Sequence, residues 1–152
     1  MIFPERKNIY YVSTFFGDWE ALGITLDKQY VYIGHVGMTD SIELYEISDK
    51  TYLQFIQAYQ NENYDMLEQL RYELYLTPCI AFKYSNYEPN PIALMTYNDS
   101  EQYQEYCNFV SNHVITEAVF SENTVILKSI QGESLTLKLN LSKFKEENSN
   151  GK

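Results

Sequence analysis

A chain of 152 residues with 45% apolar and 21% charged side chains has the size and composition of one globular domain, which excludes a disordered body. A formal charge of −10 repels phosphate backbones and anionic lipid, so direct contact with nucleic acid or a membrane surface is disfavoured and a basic protein is the expected partner. Two cysteines, Cys79 and Cys107, are too few for a disulfide framework and lack a zinc spacing.

The charges of Glu5, Arg6 and Lys7 interrupt the apolar region a signal peptide needs, and no apolar run reaches the roughly 18 residues of a membrane span. The expected location is therefore cytoplasmic. Residues 10–16, rich in aromatic and β-branched side chains and ended by Gly17 and Asp18, predict a strand and a turn. Residues 21–26 and 30–36, parted by Asp27 and Lys28, predict a hairpin. Residues 41–47 continue the β character, with Ile42 and Leu44 on one face and Glu43 and Tyr45 on the other. The first third thus reads as an antiparallel meander.

The period then changes from two to 3.6. Ser48 is an N-cap candidate, and Tyr52, Phe55, Ile56 and Tyr59 recur at i, i+3, i+4 and i+7. After Asn61, Glu62 and Asn63 a second helix turns Leu67, Leu70 and Leu74 inward, with Pro78 just past its end. Brief strands are expected at residues 80–84 and 92–97, joined by a loop at 85–91 whose Pro89 and Pro91 forbid regular structure. A third helix, capped by Asp99 or Ser100, carries Tyr103, Tyr106, Cys107, Val110 and Val114 as its stripe. Residues 124–130 and 134–140 form a closing hairpin around Gly132, with Leu135, Leu137 and Leu139 inward. The expectation is a single α+β domain over residues 1–141, a mostly antiparallel sheet packed against about three helices, with a flexible tail at 142–152.

Motifs for catalysis are sparse. His35 and His113 are the two histidines; His113 falls near the end of the third helix, where a structural role suits it, and His35 lies between Gly34 and Gly37. No nucleophile elbow, nucleotide-binding glycine loop or calcium loop occurs, so no cofactor, metal or catalytic residue is expected. Carboxylates could hold magnesium in a nuclease, yet residues 40–126 offer only Lys50, Arg71 and Lys83 to grip phosphate. Ile9, Tyr10 and Tyr11 with Tyr32, Ile33 and Gly34 superficially resemble the two signature tripeptides of the GIY-YIG nucleases. The gap between them is longer than in that family and the only later arginine is Arg71, so the resemblance is set aside.

The charge is uneven: residues 40–126 hold fourteen acids and three bases, against four acids and three bases before them and three acids and five lysines after. Eleven of the fifteen tyrosines fall in the same middle segment. On the second helix Asp65, Glu68 and Tyr72 face away from the leucine stripe, as Glu101, Glu105, Asn108 and Asn112 do on the third. Tyr45, Tyr72, Tyr75, Tyr84 and Tyr87 are not needed by any inward stripe. Carboxylates would meet a partner's arginines and lysines while phenol rings supply a desolvated centre. The expected partner-binding residues are Glu43, Tyr45, Glu62, Asp65, Glu68, Tyr72, Glu101 and Glu105. The expected role is a non-enzymatic inhibitor that blocks a basic, nucleic-acid-acting protein such as a toxin or nuclease. In physical character, small, acidic and aromatic, the chain resembles bacterial toxin-neutralising immunity proteins and equally a phage anti-defence protein that mimics DNA charge. Two alternatives stand beside it: a small enzyme or ligand-binding domain with its site near His35, Asp40 and Glu43, and a structural or assembly subunit.

Overall fold

The meander forms as expected in a computed structural model that describes residues 7–17, 19–36, 41–77, 81–82, 87–91 and 100–139. Strands β1 (Lys7–Phe16), β2 (Glu20–Thr25), β3 (Tyr30–Val36) and β4 (Ser41–Ile47) pair antiparallel in chain order. Helices α1 (Asp49–Gln60) and α2 (Tyr64–Tyr75) follow. Each has a side-chain cap: the Oγ of Ser48, the expected one, accepts from the Thr51 amide at 3.1 Å, and Asn63 Oδ1, not singled out from sequence, accepts from the Met66 amide at 3.2 Å. Two short strands, β5 (Ala81–Phe82) and β6 (Tyr87–Pro91), extend the sheet to the order β5-β4-β3-β2-β1-β6. Helix α3 (Ser100–Asn112) leads into a second sheet of β7 (Ile115–Phe120), β8 (Thr124–Ser129) and β9 (Ser134–Lys138), the last two being the expected closing hairpin.

Strand β6 corrects the expectation of an irregular loop at 85–91. It pairs parallel with β1, setting Pro89 opposite Ile9 and Pro91 opposite Tyr11. Proline is tolerated because β6 is an edge strand, with a ladder on one side only. The strand expected at 92–97, the N-cap position Asp99 and the tail at 142–152 lie outside the described residues. β7 was not anticipated: a register shift between Ile115 and Glu117 breaks the alternation by which a strand is recognised.

The six-stranded sheet is curled nearly shut. Laid flat, its two edges would stand about 24 Å apart at roughly 4.8 Å per strand. Phe82 ends β5 and Tyr87 begins β6, and five residue steps reach at most about 18 Å. Consistent with closure, β6 contacts both β4 and β5. The narrow interior holds one layer of side chains, Tyr11, Val31, Ile33 and Leu44, all buried. Helices do not fit there, so they cover the outside.

The outer face carries two hydrophobic clusters. Leu22, Tyr32, Tyr45 and Ile47 pack under Phe55, Ile56, Leu67, Leu70 and Leu74 of α1 and α2. Tyr10, Val12 and Ile24 pack under Tyr106 and Val110 of α3 and the inner face of β7–β9. Tyrosine hydroxyls stitch the two together. Tyr30 and Tyr52, their rings 4.5 Å apart, donate to the carbonyls of Thr116 and Ile115, which flank the β7 irregularity. Tyr106 donates to the Ser13 carbonyl beside the β1 bulge. Where an irregular strand leaves a buried carbonyl unpaired, phenol satisfies it and phenylalanine would not. The far edge of the second sheet is sealed similarly: the Gln102 side-chain amide accepts from the Lys138 amide at 2.8 Å and donates to its carbonyl at 3.1 Å, in the manner of a neighbouring strand.

Candidate functional site

Glu20 opens β2 on the outer face, in register with Gly34 of β3, which is in turn opposite Glu43 of β4. Its carboxylate is buried, with 5% side-chain exposure, and α2 supplies the cation that makes this tolerable. Arg71 forks onto it, Nε donating to Oε2 at 3.1 Å and Nη2 to Oε1. Tyr32 donates its hydroxyl to Oε2, and the Tyr59 hydroxyl accepts from Arg71 Nη2 at 3.4 Å. Tyr75 extends the group, its hydroxyl 3.5 Å from that of Tyr32. Burial, together with the hydrogen bond its hydroxyl donates to Glu20, pushes the Tyr32 phenol well above its usual range, while the bond to Glu20 raises Arg71. The cluster neutralises its own charge. It is a clamp fastening α2 and the β1–β2 turn to the sheet.

Because Arg71 is committed inward, the outer face of α2 is left with acids and rings. Leu67, Leu70 and Leu74 are buried; Asp65, Glu68, Glu73, Tyr64, Tyr72, Tyr75 and Leu76 are exposed. Tyr64 and Tyr72 are 69% and 67% exposed. Glu62 precedes the helix, also exposed. Among the described residues no lysine or arginine pairs with Glu62, Asp65 or Glu68. One residue before Glu20 stands Trp19, 82% exposed at φ 65°, a left-handed conformation that costs an aromatic residue about 1–2 kcal/mol.

The expected partner-binding residues do not all come together. Glu62, Asp65, Glu68 and Tyr72 share one exposed region at α2. Glu101 and Glu105 are exposed on α3, which packs on β1 and β9. Tyr45 is a correction: it is buried at 6%, its ring 5.8 Å from Tyr75 and its hydroxyl 2.5 Å from Glu43 Oε2. The meander is covered on both faces, so the side of β4 expected to face water lies under α2. Tyr84 lies outside the described residues, as do Asp40 and the side chains of His35 and Tyr87. The tripeptides set aside above fall on β1 and β3, with β2 between them. Trp19, Tyr64 and the Glu20–Arg71 pair were not singled out from sequence. The one available signal was that Trp19 is the only tryptophan and follows a glycine-containing turn.

A second location is a cavity of about 140 Å³ where α1, α3 and β1 meet, lined by Phe15, Ile56, Gln60, Val110, Ser111 and His113. His113, just past the end of α3, has Nδ1 3.0 Å from the Phe109 carbonyl and Nε2 2.5 Å from Glu133 Oε2. Both nitrogens are occupied by acceptors, so the ring ties α3 to the β8–β9 turn, the structural role its position implied. Among the described residues no group of three or more metal-ligating side chains converges, and no helix is long and apolar enough to cross a membrane. No protein-family model, curated protein or solved structure matches the chain.

Proposed function

We propose that this chain is a non-enzymatic protein-binding inhibitor, of immunity or anti-defence type, that occludes a basic, nucleic-acid-acting protein. The observation that carries the reading is the outer face of α2, where exposed phenol rings alternate with carboxylates that have no basic partner among the described residues. Such a face suits association with a cationic surface: the field accelerates approach and the rings supply contact area at small entropic cost. Its location is narrower than the sequence implied, since Tyr45 belongs to the core and α3 to the other outer cluster.

The test is affinity capture with the full chain from a host lysate at low and at high salt, followed by assay of the purified captured protein. The expected result is a basic nucleic-acid-acting protein, retained at low salt and weakened at high salt, whose activity falls on stoichiometric addition of the chain. Recovery of no basic protein at either salt would sink the reading. The cavity beside Ile56 and Val110 supports a second, a ligand-binding domain taking a molecule about the size of benzene. Thermal stabilisation by small aromatic compounds, abolished by Val110→Phe, would favour it.

A further inference from the structure

We propose that the α2 face reads arginine in particular, gripping guanidinium groups of its partner between a phenol ring and a carboxylate. This rests on the reading above and names the chemistry that the surface selects. Tyr64, Glu68 and Tyr72 stand at i, i+4 and i+8, so ring, acid and ring follow one another at about 6 Å intervals along one line of the helix. A guanidinium lies flat on an aromatic face and at the same time forks onto a carboxylate beside it. An ammonium is a point charge with a tightly held water shell and matches this arrangement poorly.

The same helix already pairs an arginine with carboxylate and phenol oxygens. On the inward side of the same helix Arg71 forks onto Glu20 with the Tyr32 and Tyr59 hydroxyls beside it. The outward side repeats the components, carboxylate and phenol, and leaves the cation to be supplied. Charge complementarity commits the occupant: a protein segment bearing arginines, set against a face whose Asp65 and Glu68 have no cationic partner among the described residues.

The experiment compares nona-arginine with nona-lysine binding to the full chain by calorimetry at about 0.15 M salt, where surface charges more than about 8 Å apart are screened. Two ring contacts of about 0.5–1 kcal/mol each predict that nona-arginine binds about tenfold tighter. Tyr64→Ala with Tyr72→Ala leaves the net charge unchanged and should erase the arginine preference while leaving nona-lysine binding as it was. Should that double variant lose its far-ultraviolet dichroism, Glu68→Gln against Glu101→Gln decides instead. The two change charge equally, and only the first should narrow the arginine-to-lysine ratio. Equal affinities for the two peptides, or a preference that survives both sets of substitutions, would overturn the arginine assignment and leave a basic partner in place. Absence of binding by either peptide even at low salt would overturn the functional reading too.

Discussion

Raising the pH from 8 to 11 is expected to destabilise this protein strongly, because four phenols are held protonated by the fold. Tyr11, Tyr32, Tyr52 and Tyr106 are buried, and burial is the first cause of a rise in each phenol's pKa above its usual value near 10. A group whose folded pKa is raised contributes stability that is intact below its unfolded pKa and is lost as the pH climbs towards the folded value. Below pH 9 the four therefore cost nothing. At pH 11 the unfolded chain gains about 1.4 kcal/mol per phenol by ionising, roughly 6 kcal/mol for four, against a total stability of about 5–15 kcal/mol for a domain of this kind. Urea unfolding followed by far-ultraviolet dichroism between pH 8 and 11 should give a stability that is nearly flat up to about pH 9.5 and then falls by about 5 kcal/mol in all by pH 11. Absorbance at 295 nm would count the tyrosinates formed before and during the transition. Ionisation of all the tyrosines near pH 10 with the fold intact would refute the argument.

Three further outcomes follow from particular contacts. Arg71→Ala strands the Glu20 carboxylate in the interior and should cost about 2–4 kcal/mol in urea, the lower part of the range for a broken buried pair because the guanidinium is 32% exposed. Pairing it with Glu20→Gln should restore most of the loss. Trp19→Gly relieves the left-handed backbone at φ 65° and should stabilise by about 0.5–1 kcal/mol, while in the parent chain the emission of this single tryptophan should change little on unfolding; a strong shift would mean that the ring packs. Phe55→Ala removes a fully buried ring stacked 5.1 Å from Tyr32 and should cost about 3–5 kcal/mol, measured by the same urea midpoints.

The tyrosine count that drew attention to a binding surface has two origins. Tyr10, Tyr11, Tyr32, Tyr45, Tyr52 and Tyr106 are core residues, and hydroxyls such as those of Tyr52 and Tyr106 meet carbonyls left over at strand irregularities. Tyr64, Tyr72 and Tyr75 are exposed on α2 and carry the functional reading. Sequence could separate these groups only where a helix imposed a period. Tyr72 follows from its angle to Leu67, Leu70 and Leu74, whereas Tyr45 sits on a strand whose polar-looking face turned out to be roofed.

What the sequence determined by itself was local. The change of period near Ser48, the cap at Ser48, the leucine stripe of α2 and the alternation of β9 are properties of neighbouring residues, and each element they define is present. Tertiary structure alone decided which faces are covered, because that depends on residues far apart in the chain. Closing the sheet through β5 and β6 put helices outside and buried both faces of β3 and β4, at which point alternation no longer distinguishes inside from outside. The same packing brought Arg71 to Glu20 across 51 residues. A carboxylate goes into a core only where a cation comes from another element to meet it, and no local pattern records where that cation will come from.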